Sequence, residues 1–225
     1  NGDALEAAPK TQNRAAITEP LRVGEVLRLI DDYKPLYAPV KAAVMLAPLL
    51  FVRPGELRMM RWEEIDTERG EWTFLSTKKG KMHTAPLSRQ ALGVLAELRE
   101  ITGDSEYCFP NPRPNHSEQR PTMSENSMLQ AYRRMGIEAK EMSPHGWRAT
   151  ARTLLVEQLG EQADIVRHQL SHRVLDPNGT AYDRTTFIAE RHKMMQRWAD
   201  YLDGLKAGGN VLAVEFRKTE TATAG

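Results

Sequence analysis

The chain has one cysteine among 225 residues and no long apolar run. The single Cys108 excludes an internal disulfide and a zinc site of four cysteines, and it favours a reducing compartment. The longest apolar run, from Ala42 to Val52, is about half of the roughly 20 residues that a membrane-spanning helix needs. The start is neither basic nor followed by an apolar stretch, which is unlike a secretory leader. We therefore expect a cytoplasmic protein without a membrane partner.

Neither sign of charge is in excess, because 31 lysine and arginine residues stand against 30 aspartate and glutamate residues. A net charge of +1 does not predict a nucleic-acid partner, so a case for DNA binding depends on where the basic residues lie. The remaining composition is ordinary, with 40% apolar and 27% charged residues. A chain of this length can bury a core as one large domain or two small ones.

The apolar pattern predicts a mainly α (α+β) body with a small antiparallel sheet. Helices are expected over 18–30, 35–51, 54–62, 88–101, 122–134, 143–159, 162–170, 180–187 and 188–206. Strands 71–76 and 82–87 enclose a lysine-rich turn, and 62–69 adds a third, irregular strand. We expect a linker at 1–17, the domain at 18–206, and a tail at 207–225 with a last strand at 211–216.

Several local signals refine these boundaries. Pro48 should kink or end the second helix. Thr122 and Glu125 have the spacing of a capping box for the helix that follows them. Four prolines within 103–121 exclude a helix there and predict a surface loop. The helix that Ser88 caps is expected to face inward with Leu92, Leu95, Leu98 and Ile101.

Two groups of basic residues in the first half of the chain suit phosphate chemistry. Arg53 lies between two helices, where it could be held half-buried, although a surface ion pair with Glu56 is the simpler interpretation of this residue alone. The turn between the strands suits a polyanion, although a turn that aids solubility has the same composition. Its lysines are Lys78, Lys79 and Lys81.

Two further groups lie in the second half. His145 and Arg148, three residues apart near a predicted helix start, project from one face where phosphate is favoured, although an ordinary helix-end histidine fits as well. Tyr182 follows His172 by ten residues and could equally be a packed aromatic residue. His168 and His172 have the spacing of metal ligands, but the glutamate of the zinc-protease pattern is missing and no third ligand stands out.

Taken in chain order, these groups resemble the catalytic constellation of the tyrosine recombinases, the phage-type site-specific integrases. The stretch 52–66 resembles the first arginine box of that family, and 77–88 resembles its lysine hairpin. The stretches 181–184 (Ala-Tyr-Asp-Arg) and 190–202 resemble the prophage P4-type integrase subgroup. The resemblance covers about 18–206 and implies the helical catalytic domain of that family, with a small sheet that carries the lysine hairpin.

The resemblance also implies roles for particular residues. Tyr182 would attack DNA to form a 3′-phosphotyrosyl link, with His145 as the proton acceptor. Arg53 and Arg148 would clamp the phosphate, His172 would be a third donor, and Glu56 would orient Arg53 from behind. The general acid would be Lys78, with Lys79 or Lys81 as the alternative because hairpin register is uncertain from sequence. No metal or cofactor is implied.

The implied partners are a double-stranded DNA attachment site, three further copies of the chain in a synaptic tetramer, and an accessory directionality factor. Base readout could come from the 103–121 loop or the 122–137 helix. Candidate DNA-binding residues are Lys79, Lys81, Arg133, Arg134, Lys140 and Arg152. In the family, C-terminal segments dock on a neighbouring protomer, which makes 211–216 a candidate for strand exchange.

Two departures from the family pattern stand out. Full integrases carry arm-binding and core-binding domains before this region, so we expect an isolated catalytic domain that binds DNA weakly. Ser171 precedes His172 where many relatives have glycine or alanine. Serine is small, so we expect the geometry of the site to survive this change.

Three alternative functions remain open at this point. A type IB topoisomerase uses similar residues to relax supercoiled DNA, although the P4-like stretches argue against it. A catalytically inactive DNA-binding module is a second alternative, and the presence of all six expected groups argues against it. A metal nuclease using His168 and His172 is the third, and it predicts inhibition by chelators.

Overall fold

The computed structural model describes residues 15–76, 80–113, 120–171 and 187–208. It confirms the predicted mainly helical architecture with one small sheet. The helices are α1 (Pro20–Asp32), α2 (Ala38–Leu50), α3 (Pro54–Arg58), α4 (Arg89–Thr102), α5 (Ser127–Arg134), α6 (Trp147–Glu157), α7 (Ala163–Gln169) and α8 (Ile188–Lys206). The predictions for 180–186, 211–216 and most of the linker lie outside the described residues.

The sheet has three antiparallel strands in the order β1 (Ile65–Asp66), β2 (Glu71–Ser76) and β3 (Lys81–Pro86). β2 and β3 pair along their whole length, from Glu71 opposite Pro86 to Ser76 opposite Lys81. The residues of β2 alternate between core and solvent, as expected for a half-buried strand. The predicted third strand is reduced to two residues, after a 3₁₀ turn at Trp62–Glu64.

α2 lies at the centre of the core and contacts six of the other helices. Ala42, Ala43 and Ala47 are buried, and their small side chains permit these close approaches. Pro48 was predicted to kink or end α2, and it does not end it, because the helix continues to Leu50. The Pro48 carbonyl accepts a hydrogen bond of 2.9 Å from Trp198 Nε1 in α8. Phe51 caps the C-terminal end of α2, and its φ of 38° is left-handed.

Three predicted helix starts are displaced. α1 begins at Pro20, and Glu19 precedes it without a side-chain cap. The capping box at Thr122 is absent, because Thr122 Oγ1 accepts a hydrogen bond of 2.9 Å from Arg58 and α5 begins only at Ser127. Ser143 does not open α6 but closes the preceding turn, with its Oγ accepting from the Gly146 N–H at 3.2 Å.

Other boundaries are closer to expectation. Ser88 caps α4 as predicted, by accepting from the Ala91 N–H at 3.2 Å. Ile101 was expected on the inner face of α4 but is 62% exposed. The predicted helix 54–62 is cut to Pro54–Arg58. α8 spans Ile188–Lys206 as predicted, although its N-terminal Phe187 also has a positive φ, of 47°.

The predicted surface loop after α4 is partly a core segment. Its first part, Tyr107 to Phe109, is buried, and the Cys108 N–H donates to the Met60 carbonyl at 2.9 Å. Ile17, at the end of the predicted linker, is also buried, and its carbonyl accepts a hydrogen bond of 2.7 Å from Thr150. No helix in the described part of the chain has the length and apolar composition to cross a membrane.

Candidate active site

The connection between α2 and α3 presents Arg53. The left-handed Phe51 turns the chain at the end of α2, and Arg53 then precedes the first turn of α3. The Glu56 carboxylate accepts from the Arg53 guanidinium at 2.9 Å and from its backbone N–H at 3.3 Å. The side chains of Arg53 and Glu56 are 17% and 3% exposed. The pair is therefore mostly buried, and the simple surface ion pair does not describe it.

Ser76 links this arginine to the lysine hairpin. Its hydroxyl donates to Glu56 at 2.8 Å and accepts from the Arg53 guanidinium at 3.4 Å. Ser76 is the last residue of β2, so the hairpin tip leaves the sheet directly from this contact. The predicted general acid Lys78 and its neighbour Lys79 lie outside the described residues. Lys81, the other alternative, is the exposed first residue of β3.

Arg148 connects two distant parts of the candidate site. It is 8% exposed on the first turn of α6. One guanidinium nitrogen donates to the Phe51 carbonyl at 3.0 Å, and the other donates to the Leu170 carbonyl at 2.7 Å. These carbonyls lie two residues before Arg53 and two residues before His172. Burial, and then the charge of Arg53, lowers the pKa of Arg148 to about 10, so the group is still charged at neutral pH.

His145 lies in the tight turn before α6. Its side chain is half-buried, and its carbonyl accepts from the Arg148 N–H at 3.2 Å. Gly146 follows it and packs closely against the chain before α1, since a Cβ there would lie 2.3 Å from the Ala15 carbonyl oxygen. The turn therefore requires glycine at this position, and it places His145 one backbone hydrogen bond before Arg148. That their side chains project from one face stays a prediction.

The end of α7 leads the chain toward His172. Ser171 has a φ of 53°, and its N–H donates to the His168 carbonyl at 2.9 Å. A left-handed residue just past a helix end is the position that glycine usually takes. Ser171 therefore adopts a backbone conformation that suits glycine better than serine. His172 and Tyr182 themselves lie outside the described residues.

The remaining predicted residues lie on the surface. Arg133 and Arg134 are exposed at the end of α5, and Arg152 is exposed one turn after Arg148 on α6. Lys140 is also exposed and pairs with Glu138 at 2.8 Å. His168, which belongs to the alternative metal-nuclease interpretation, packs edge-on against Phe187, with ring centroids 5.1 Å apart. Among the described residues, no three metal-ligating side chains come together.

Two residues near the site were missed at the level of sequence. Ser76 could have been found from the pattern Trp72, Phe74, Ser76, which places its hydroxyl on the buried face of β2. Arg191 could have been found because its spacing to Met194, Met195 and Trp198 places it on the buried face of α8.

Comparison with known proteins identifies the family of the chain. The phage integrase family matches residues 19–184, which is most of the chain. The chain belongs to the phage integrase family. The integrase of Enterobacteria phage P4 is 38% identical over 179 residues, which are 72% of this chain and 40% of that protein. The putative protein IntB of Escherichia coli strain K12 is 35% identical over 215 residues, which are 88% of this chain and 52% of that protein.

These matches confirm the resemblance to the P4-type integrases. The chain spans about half or less of the length of both of these relatives. Solved structures agree on the fold. The integrase from mycobacterium phage Brujita has a TM-score of 0.59 at 18% identity. The match covers 88% of this chain and 65% of the Brujita integrase chain. A lambda integrase dimer bound to a COC′ core site has a TM-score of 0.54 at 21% identity. The match covers 75% of this chain and 62% of the lambda integrase chain.

Proposed function

We propose that this chain is the catalytic domain of a site-specific DNA recombinase that integrates or excises a mobile element. The reaction is a transesterification through a 3′-phosphotyrosyl intermediate. The observation that supports it best is the position of Arg148. Its two hydrogen bonds hold the segment that leads to Arg53 beside the segment that leads to His172, as a shared phosphate site requires.

The chemistry follows from the charge that develops during the reaction. Tyr182 loses its phenolic proton to His145 and attacks the phosphorus, and the bond to the 5′-oxygen breaks while Lys78 protonates the leaving oxygen. A free phenolate at pH 7 costs roughly 4 kcal/mol, because the phenol pKa is about 10. The proton acceptor and the arginine field together offset this cost.

The guanidinium groups of Arg53 and Arg148 stabilise the non-bridging oxygens, with His172 as a third donor. Arginine suits this role because its planar fork matches two phosphate oxygens and stays charged. Donors of this kind are each worth about 3–4 kcal/mol of barrier. Glu56 and Ser76 hold Arg53 in place, and the arginines supply the charge that a metal ion supplies in other phosphoryl-transfer enzymes.

The proposed partner is double-stranded DNA at an attachment site, bound in a synaptic tetramer. Structures of lambda integrase on a core site and as a tetramer on a Holliday junction support this assembly. Candidate phosphate contacts are Lys79, Lys81, Arg133, Arg134, Lys140 and Arg152. Binding that depends on such contacts should weaken steeply with salt. The segment 211–216 is proposed to exchange between protomers. A directionality factor is a further proposed partner, and the proposed location is the cytoplasm.

The alternatives predict different observations. A topoisomerase would relax supercoiled DNA without needing two matched sites, whereas recombination needs both. The similarity to the integrase of Enterobacteria phage P4 favours recombination. A metal nuclease using His168 would lose activity in EDTA, whereas the proposed reaction would not.

The deciding experiment uses a nicked DNA duplex that carries the core of the attachment site, taken from the junctions of the integrated element. Wild type, Tyr182→Phe and the control Tyr37→Phe are incubated with it in EDTA, and adducts that survive denaturation are resolved on a gel. We expect adducts with wild type and with Tyr37→Phe, whose hydroxyl lies on an exposed residue, and none with Tyr182→Phe.

An adduct with Tyr182→Phe would assign the nucleophile to another residue. An absence of adduct with all three proteins, repeated with arm-binding and core-binding domains joined to the chain, would favour the inactive DNA-binding module.

A further inference from the structure

A second buried arginine lies close to the candidate site. Arg191 is in the first turn of α8 and is only 3% exposed. Its Nε and Nη2 donate to the side-chain oxygen of Gln169 at 2.9 and 2.7 Å. Nη2 also donates to the backbone carbonyl of Thr84. One guanidinium therefore joins α8 to the last residue of α7 and to the middle of β3.

Each of the three joined elements, α7, α8 and β3, lies next in the chain to a segment that carries a catalytic residue of the proposed function. α7 ends three residues before His172, α8 begins six residues after Tyr182, and β3 leaves the hairpin tip that carries Lys78. A second contact reinforces the link between the two helices, since the His168 ring meets the Phe187 ring edge-on at 5.1 Å. The points where the chain leaves α7 and enters α8 are thus held together and against the sheet.

The burial of this charge is costly, which argues against a purely space-filling role. Burial lowers the pKa of Arg191 to about 10, and the nearby Glu71 only partly offsets this effect. Glu71 Oε1 itself lies 3.1 Å from His192 Nε2. An apolar residue would complete the buried face of α8 without desolvating a charge, and apolar replacements of buried ionic groups are often neutral or stabilising. An arginine at this buried position is better explained by the hydrogen-bond geometry that only its guanidinium fork provides.

We propose that Arg191 is a positioning residue for DNA cleavage. It fixes the end of α7 and the start of α8 against β3, and so sets where the segment with His172 and Tyr182 is anchored relative to the lysine hairpin. It does not contact DNA. This inference rests on the proposed function for the identity of the nucleophile.

The test compares Arg191→Gln with Arg197→Gln, a matched change on the same helix. Arg197 also bonds to a buried carboxylate, Glu161, at 2.7 Å, but it lies two turns farther along α8. A second variant, Gln169→Leu, removes the shared acceptor and serves if Arg191→Gln does not fold. For each folded protein we measure the rate of adduct formation at saturating nicked DNA, the Kd for the same DNA, and the rate of tryptic cleavage at Arg173 and Arg184.

We expect Arg191→Gln and Gln169→Leu to slow adduct formation by about 100-fold, since small misplacements of reacting groups have effects of that size. Their Kd should stay within about threefold of wild type, because no phosphate contact is lost. Tryptic cleavage at the two arginines should accelerate. Arg197→Gln should resemble wild type in all three measurements.

Two results would overturn the inference. One is an adduct rate for Arg191→Gln equal to that of Arg197→Gln. The other is unchanged tryptic cleavage within the segment, which needs no catalysis to be measured. If wild type formed no adduct even with the arm-binding and core-binding domains joined to the chain, the proposed function would fail. The tryptic comparison would still decide whether Arg191 anchors the segment.

Discussion

Ser171 shows how a single backbone angle can matter at this site. Its φ of 53° lies in the region that disfavours residues with a Cβ, and it sits immediately before His172. The sequence predicted that serine would be tolerated because it is small. The structure adds that the constraint is the backbone conformation rather than the size of the side chain.

Ser171→Gly should therefore leave the free energy of unfolding unchanged or raise it by up to about 1 kcal/mol. Relief of the strained conformation opposes the entropy that glycine adds to the unfolded chain. Ala96→Gly is the control, because Ala96 is exposed within α4. This change should lower the free energy of unfolding by about 1 kcal/mol. Urea denaturation measures both, and an equal loss in the two variants would contradict the strain at Ser171.

A buried hydrogen bond ties the β2–β3 hairpin to α3. Ser76 ends β2, and its hydroxyl is buried against Glu56, the residue that also holds Arg53. The lysine hairpin and the first arginine are thus parts of one hydrogen-bonded unit. Their order in sequence suggested a common site, but the serine that joins them was not predicted.

Ser76→Ala should lower the free energy of unfolding by about 1–3 kcal/mol, because a buried carboxylate loses a donor. Adduct formation should slow as well, since Arg53 loses part of its support. Thr73→Val is the matched control on the same strand, where the half-buried hydroxyl pairs with Thr84 at 2.9 Å. Thr73→Val should lower the free energy of unfolding by less than about 1 kcal/mol. Equal decreases in the two variants would count against a special role of Ser76.

The packing of α8 against α1 and α2 brings the two ends of the described chain together. Gly24 of α1 lies against the C-terminal end of α8, where an added Cβ would be 2.3 Å from the Leu205 carbonyl oxygen. Arg28 donates to the Lys206 carbonyl at 2.9 Å and so satisfies the last turn of α8. The helix that follows Tyr182 is therefore fixed by the first helix of the domain.

Gly24→Ala should destabilise the protein by about 1–3 kcal/mol, because the two helices must separate to admit the methyl group. Gly93→Ala should instead stabilise it by up to about 1 kcal/mol, since that position is in α4 and nothing lies within 4 Å of the added Cβ. Urea denaturation should thus give changes of opposite sign. Changes of the same sign would show that α1 and α8 are not in such close contact.

The sequence was sufficient for features that depend on neighbouring residues. The long helices, the paired strands β2 and β3 and the Ser88 cap follow from periodicity and capping, which act within a few positions. The family resemblance assigned the roles of the site residues, and all of these roles are still predictions.

Packing between distant segments explains what the sequence did not reveal. Thr122 binds Arg58 instead of capping α5, and α2 runs past Pro48 to a left-handed Phe51. Arg148 reaches a carbonyl 97 residues away and Arg191 one 107 residues away. Such partners become neighbours only when the elements pack, and a buried donor must then take whichever acceptor lies within reach. Local pattern therefore sets the elements of this domain, and tertiary contacts set the geometry of its site.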